Sequence, residues 1–137
     1  MKTQTQHSPP DKEDYEKNSS LEHREQVVSK AVLKAMELMG ISGNDMPKII
    51  GHSSSFFSRL RKQNATFKKS DKTWELAILF LRLFKSLDTL SGGHDEYAKG
   101  WLHSQNLHLK GIPFEIIQQT EGLIRVIQYL DSMRGQS

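Results

Sequence analysis

"GHSSSFFSRLRK", residues 51–62, holds one glycine, four serines, two adjacent phenylalanines and three basic residues in twelve positions. Three serines in a row suit a flexible linker, but Phe56-Phe57 and the basic run Arg59, Arg61, Lys62 do not. Just upstream, Asn44 or Asp45 can cap a short helix, and Pro47 falls in its first turn, where a missing N–H costs little. Gly51 ends that helix, and Ser53 can cap another running to about Gln63. A short helix, a glycine turn and a second helix form a helix-turn-helix. The apolar positions agree. Met46 and Ile50 share a face of the first helix, Phe57 and Leu60 lie three apart on the second, and the four can pack together.

That orientation turns Ser53, Ser54, Ser55, Ser58, Arg59 and Lys62 outward, toward the major groove of DNA. Small serines let a helix N-terminus approach closely, where free N–H groups and the positive dipole end favour a phosphate. Arg59 has the fork that reads guanine O6 and N7, while Arg61, Lys62, Lys68 and Lys69 can reach the phosphate backbone. Two residues depart from the usual pattern. Pro47 stands where a small residue is common and His52 where an apolar one is, and either would loosen the turn. Phe56 is expected at the edge of the core.

Charge along the chain supports a phosphate-binding face. Residues 44–72 carry seven Lys and Arg against Asp45 and Asp71, a balance of +5, within a chain of net charge +3. Residues 1–25 balance to −2 and residues 94–137 to −1. A local basic patch is the electrostatic footprint of nucleic-acid binding.

Working outward, residues 1–25 are polar, contain Pro9-Pro10, lack periodicity and read as a disordered tail. From Gln26, the residues Val27, Ala31, Leu33 (or Val32), Leu38 and Met39 recur near helical spacing up to Gly40. Ser70 or Asp71 can cap a helix over 72–90, in which Trp74, Ala77, Leu81, Phe84 and Leu87 step by threes and fours. Its remaining circumference is also largely apolar, so neighbouring helices and a second subunit are expected to cover it. A short helix over 95–103, another opened by Pro113, and a last one capped by Thr120 follow. No stretch alternates as a strand does. The fold class is all-α: a helix-turn-helix region over 26–70, then a helical dimerisation region over 71–137.

The order of features in the second half is more distinctive. Trp74-Glu75, Arg82 to Leu87, Trp101-Leu102, Asn106, Leu109 to Pro113, Thr120 to Gly122 and Val126 to Leu130 succeed one another. In this order they resemble the Xre/MbcA/ParS antitoxin family, over about residues 27–135. The resemblance implies a bacterial, cytoplasmic type II antitoxin. Its C-terminal domain would neutralise a cognate toxin, most often a RES-domain protein that degrades NAD⁺. Its N-terminal helix-turn-helix would bind operator DNA and repress its own operon, usually as a homodimer.

Turn chemistry explains Gly111-Ile112-Pro113, close packing explains Gly122, and burial explains Trp101 and Leu102. Toxin contacts are therefore expected among the polar residues of the last helix: Arg125, Gln128, Tyr129, Asp131, Ser132 and Arg134. By analogy with the family, Arg134 would reach an anionic subsite at the toxin's substrate entrance.

Other functions fit poorly. Cys is absent, which excludes disulfides, thiolate metal sites and a thiol nucleophile. His94, His103 and His108 lie near Asp95 and Glu96, but without ligand spacing on one helix face, so no metal or other cofactor is expected. Nothing resembles a nucleophile elbow or a phosphate loop, so no enzyme is expected. Leu76 to Leu81 is the longest apolar run, far short of the roughly 20 residues of a membrane span. The alternatives are a stand-alone helix-turn-helix regulator without a toxin, and a protein-binding module that no longer reads DNA.

Overall fold

The computed structural model of the chain describes residues 11–135, and the structural statements below concern those residues. Seven helices follow one another: α1 (Lys12–Leu38), α2 (Met46–Ile49), α3 (Ser54–Arg61), α4 (Trp74–Ser91), α5 (Asp95–His103), α6 (Pro113–Ile116) and α7 (Thr120–Arg134). Apart from one isolated antiparallel bridge between Asn106 and Gly111, the described residues contain no extended pairing. The all-α reading holds.

α1 begins fourteen residues before Gln26, which corrects the expectation of disorder through residue 25; residues 1–10 lie outside the described residues. Asp11 caps the helix by accepting the N–H of Asp14 at 3.0 Å, and Glu13 and Asp14 suit the positive dipole end. Lys12 to Arg24 is almost entirely exposed. A helix segment that is almost all exposed needs no apolar stripe, so periodicity could not announce it. The buried stripe also differs from the expected one. Val28, Val32, Ala35, Met36 and Met39 face the core while Val27 is 51% exposed. The true stripe continues upward through Glu25 and Ser29, which are buried but polar and so invisible to an apolar pattern. Gly40, at φ 68°, ends the helix in a Schellman motif, with Ile41 N–H on the Met36 carbonyl at 2.8 Å and Gly40 N–H on Glu37 at 3.1 Å.

One expected cap makes no cap bond and two others move. Asp45 occupies the N-cap position of α2 without a side-chain cap bond, its carboxylate instead accepting from Ser42 Oγ. Thr73, rather than Ser70 or Asp71, stands at the N-cap of α4, and Gln119, rather than Thr120, at that of α7. Neither side chain makes a cap bond.

α4 is the organiser. It packs against α1, α5 and α7, and buries Ala77, Phe80, Leu83 and Leu87 completely. One continuous core runs from Val28 on α1 to Leu130 on α7, so the helix-turn-helix and the C-terminal helices share it. Gly122 is where α6 and α7 meet. A Cβ there would stand 1.9 Å from the carbonyl oxygen of Ile116, so only glycine fits.

Candidate nucleic-acid face and partner face

The turn between α2 and α3 is built on Gly51, whose φ of 98° belongs to the left-handed region that favours glycine. Met46, Ile50, Phe57 and Leu60 are buried, as the spacing predicts. Phe56 is buried too, against Phe57 and Phe67. Neither unusual residue loosens the turn. Pro47 lies in the first turn of α2, where proline fits. His52 does the work of an apolar residue by stacking on Phe56, with ring centroids 3.8 Å apart and planes 14° apart. Its Nε2 also shares a 2.8 Å hydrogen bond with Oγ1 of Thr73, tying the turn to the start of α4. Burial holds the His52 pKa below its ordinary value; Asp71 pulls it back up and Arg59 pushes it further down.

Ser53, Ser54, Ser55, Ser58, Arg59, Arg61 and Lys62 are all exposed. Ser53 is partly committed, since its Oγ accepts the N–H of Phe56 at 3.1 Å and meets Ser55 Oγ at 3.0 Å. Ser55, Ser58, Arg59 and Lys62 step by threes and fours along one side of α3, a surface of small hydroxyls followed by cations. Arg61 turns elsewhere. It lines a cleft of about 220 Å³ with Gln26, Lys30 and Leu33 of α1 and with Gln63 and Thr66 after α3.

Lys68 and Lys69 are positioned by residues the spacing arguments missed. Glu25 is only 6% exposed. Its Oε2 accepts the main-chain N–H of Lys69 at 2.8 Å, and its Oε1 lies 3.9 Å from the Lys68 ammonium. Ser29 Oγ donates to the Glu25 carbonyl at 2.7 Å and accepts the N–H of Phe67 at 2.8 Å. The loop after α3 is thus pinned to α1 at three successive residues. Polar side chains at core spacing on α1 were the available signal.

The proposed partner face on α7 is less free than its sequence suggests. Gln128 is exposed, and Ser132 is exposed with its hydroxyl donating to the Tyr129 carbonyl. Arg125 instead donates through Nη2 to the carbonyl oxygen of Leu109. Tyr129 is half-buried, stacked between Trp101 and His108 at 6.3 and 6.0 Å. Asp131 accepts from the buried Ser86 hydroxyl at 2.7 Å and pairs with Arg82 and Arg134 at 3.9 and 3.5 Å, so it ties α7 to α4. Arg125, Tyr129, Asp131, Ser132 and Arg134, all read as contacts to a partner, therefore make internal contacts.

Comparison with protein families separates the two halves. The model of the antitoxin Xre-like helix-turn-helix domain matches residues 23–82, and that of the antitoxin Xre/MbcA/ParS C-terminal toxin-binding domain matches residues 86–135. The chain belongs to the Xre/MbcA/ParS antitoxin family. No curated protein matches it. The two family domains meet inside α4, so this helix closes the helix-turn-helix core and opens the toxin-binding one. The family assignment accounts for the HTH turn and for the packed C-terminal motif.

No three metal-ligating side chains come together among the described residues. His103 instead donates through Nε2 to the Met39 carbonyl at 3.0 Å. No helix among them is long and apolar enough to cross a membrane.

Proposed function

We propose that this antitoxin neutralises a cognate RES-domain, NAD-degrading toxin by direct binding and represses its own operon as a homodimer. It works by occupancy rather than catalysis, blocking the toxin with its C-terminal helices and the promoter with α3. The observation that carries the reading is the hydroxyl-and-arginine side of α3, solvent-facing and rigidly backed by the His52, Phe56, Phe57 and Phe67 cluster, in one chain with a toxin-binding domain. Ser54, Ser55, Ser58 and Arg59 enter the major groove, Ser53 sets the helix N-terminus, and Lys62, Lys68 and Lys69 meet phosphates. Two copies present two recognition helices to half-sites about one DNA turn apart. The partly uncovered apolar flank of α4, where Ile78 is 36% exposed beside Leu81 and Leu79, supports a second subunit.

Co-expression with the protein encoded next to the gene, followed by co-purification and NAD⁺ assay, tests the toxin reading. A neighbour that neither binds nor depletes NAD⁺ overturns it. Mobility shift on the upstream DNA tests repression. Affinity should fall steeply with salt, as expected when roughly five phosphates are neutralised, and Arg59→Ala should lose sequence preference. Wild-type protein that fails to shift this DNA at low salt overturns the DNA reading.

A further inference from the structure

Between α5 and α6 the chain folds residues 106–111 into a small closed loop. Asn106 and Gly111 exchange main-chain hydrogen bonds at 2.8 and 3.2 Å, and Asn106 Oδ1 accepts the N–H of Leu109 at 2.9 Å. Lys110 takes a left-handed φ of 59° to close the turn. Leu109 points inward and is buried, and its carbonyl is held from outside by the Arg125 guanidinium. His108 stacks on Tyr129, which stacks on Trp101. At the tip of this fixed loop stands Leu107, 87% exposed, the most exposed of the large apolar side chains among the described residues.

A lone exposed leucine is ordinary on a protein surface. This one is unusual in its support: every flanking residue is tethered, yet the leucine itself touches little. A side chain displayed on an already ordered loop can be buried by a partner without the cost of ordering that loop. It also projects from the domain matched to toxin binding, while Arg125, Tyr129 and Asp131 of that domain face inward tasks. The Arg125 and Tyr129 contacts are spent on holding this loop.

We propose that Leu107 is the apolar anchor of the toxin interface, inserted into an apolar pocket of the toxin, with His108 and Lys110 at its rim. The inference rests on the toxin-binding reading above. Arg125 and Tyr129 are then positioning residues that aim the loop.

The test is a binding titration of the purified full chain against the purified product of the neighbouring gene. Leu107→Asp should weaken the complex about 30-fold or more, the size expected of an interface hot spot, with helical content and melting temperature unchanged. Leu107→Met should bind within a few-fold of wild type. A photo-crosslinking residue at position 107 should join the two chains, whereas one at position 27 should not. If wild type binds and Leu107→Asp binds equally, or position 107 gives no crosslink, the anchor is overturned and the toxin reading stands. If wild type does not bind, both fall. If Leu107→Asp instead disrupts self-association and leaves toxin affinity intact, the loop is a homodimer contact and the proposal is wrong.

Discussion

Oε2 of Glu25 accepts the main-chain N–H of Lys69 at 2.8 Å, across 44 residues of sequence and from a carboxylate that is almost wholly buried. The bond decides where the basic loop sits. Replacing Glu25 with Ala removes the acceptor and leaves the Lys69 N–H and the Lys68 ammonium without it. The expected cost is about 1.5–3 kcal/mol, the scale of a hydrogen bond to a charged group. Glu25→Gln retains an oxygen for the N–H and should cost less. Urea unfolding of both variants checks the order; equal losses would mean that charge alone, not the fixed bond, matters.

His52 predicts how stability responds to acid. Burial depresses its pKa below the ordinary 6.5, so the folded state resists the proton that the unfolded state accepts. As pH falls below that ordinary value, the unfolded chain therefore binds more protons and folding stability declines. Above it both states are neutral and the full contribution is present. Melting temperature should drop between about pH 7 and pH 5, and His52→Gln, which cannot take up the proton, should flatten that part of the profile. An unchanged slope in the variant would assign the acid sensitivity to other groups.

Gly122→Ala should be among the most damaging single-methyl changes in the chain. The new Cβ would fall 1.9 Å from the Ile116 carbonyl oxygen and 2.9 Å from Ile116 Cγ2, and the nearer atom is main chain that cannot swing aside. Helix α7 must lift off α6, at a cost of about 3 kcal/mol or more. Gly93→Ala offers a contrast. A methyl there meets nothing within 4 Å and pays only for its positive φ of 81°. Thermal unfolding of the two variants should separate packing from backbone strain.

The helix-turn-helix was legible because each of its parts has a local cause: Gly51 for the turn, Ser53 for the cap, Phe57 and Leu60 for the anchor. The C-terminal helices were legible through apolar spacing and Pro113. What escaped has a common physical origin. Glu25 and Ser29 are polar residues in core positions, and their reason for being there lies on a loop some forty residues away. His52 acts as an aromatic plate, a role its residue type does not announce. On α7, exposure and engagement were conflated. Periodicity separates an outward face from an inward one, but it cannot tell that Arg125 bends back to Leu109. The first half of α1 escaped for the opposite reason, being so exposed that no burial imposes a pattern.

Asp131 is the residue for which structural and interface roles make opposite predictions. Its Oδ1 accepts from Ser86, whose hydroxyl is buried between α4 and α7, while its ion pairs to Arg82 and Arg134 lie near the surface. Exposed pairs contribute little, so the stabilising part is the Ser86 bond. Asp131→Asn keeps an acceptor and should fold with nearly wild-type stability, whereas Asp131→Ala should lose about 1–2 kcal/mol. Double replacement with Ser86→Ala should recover part of that loss, since removing both partners leaves no orphaned hydroxyl. A direct toxin contact would behave differently: Asn would already weaken binding through its lost charge, and Ser86→Ala would restore nothing. Measuring stability and toxin affinity on the same three variants decides between the roles, and the 2.7 Å bond to Ser86 favours the structural one.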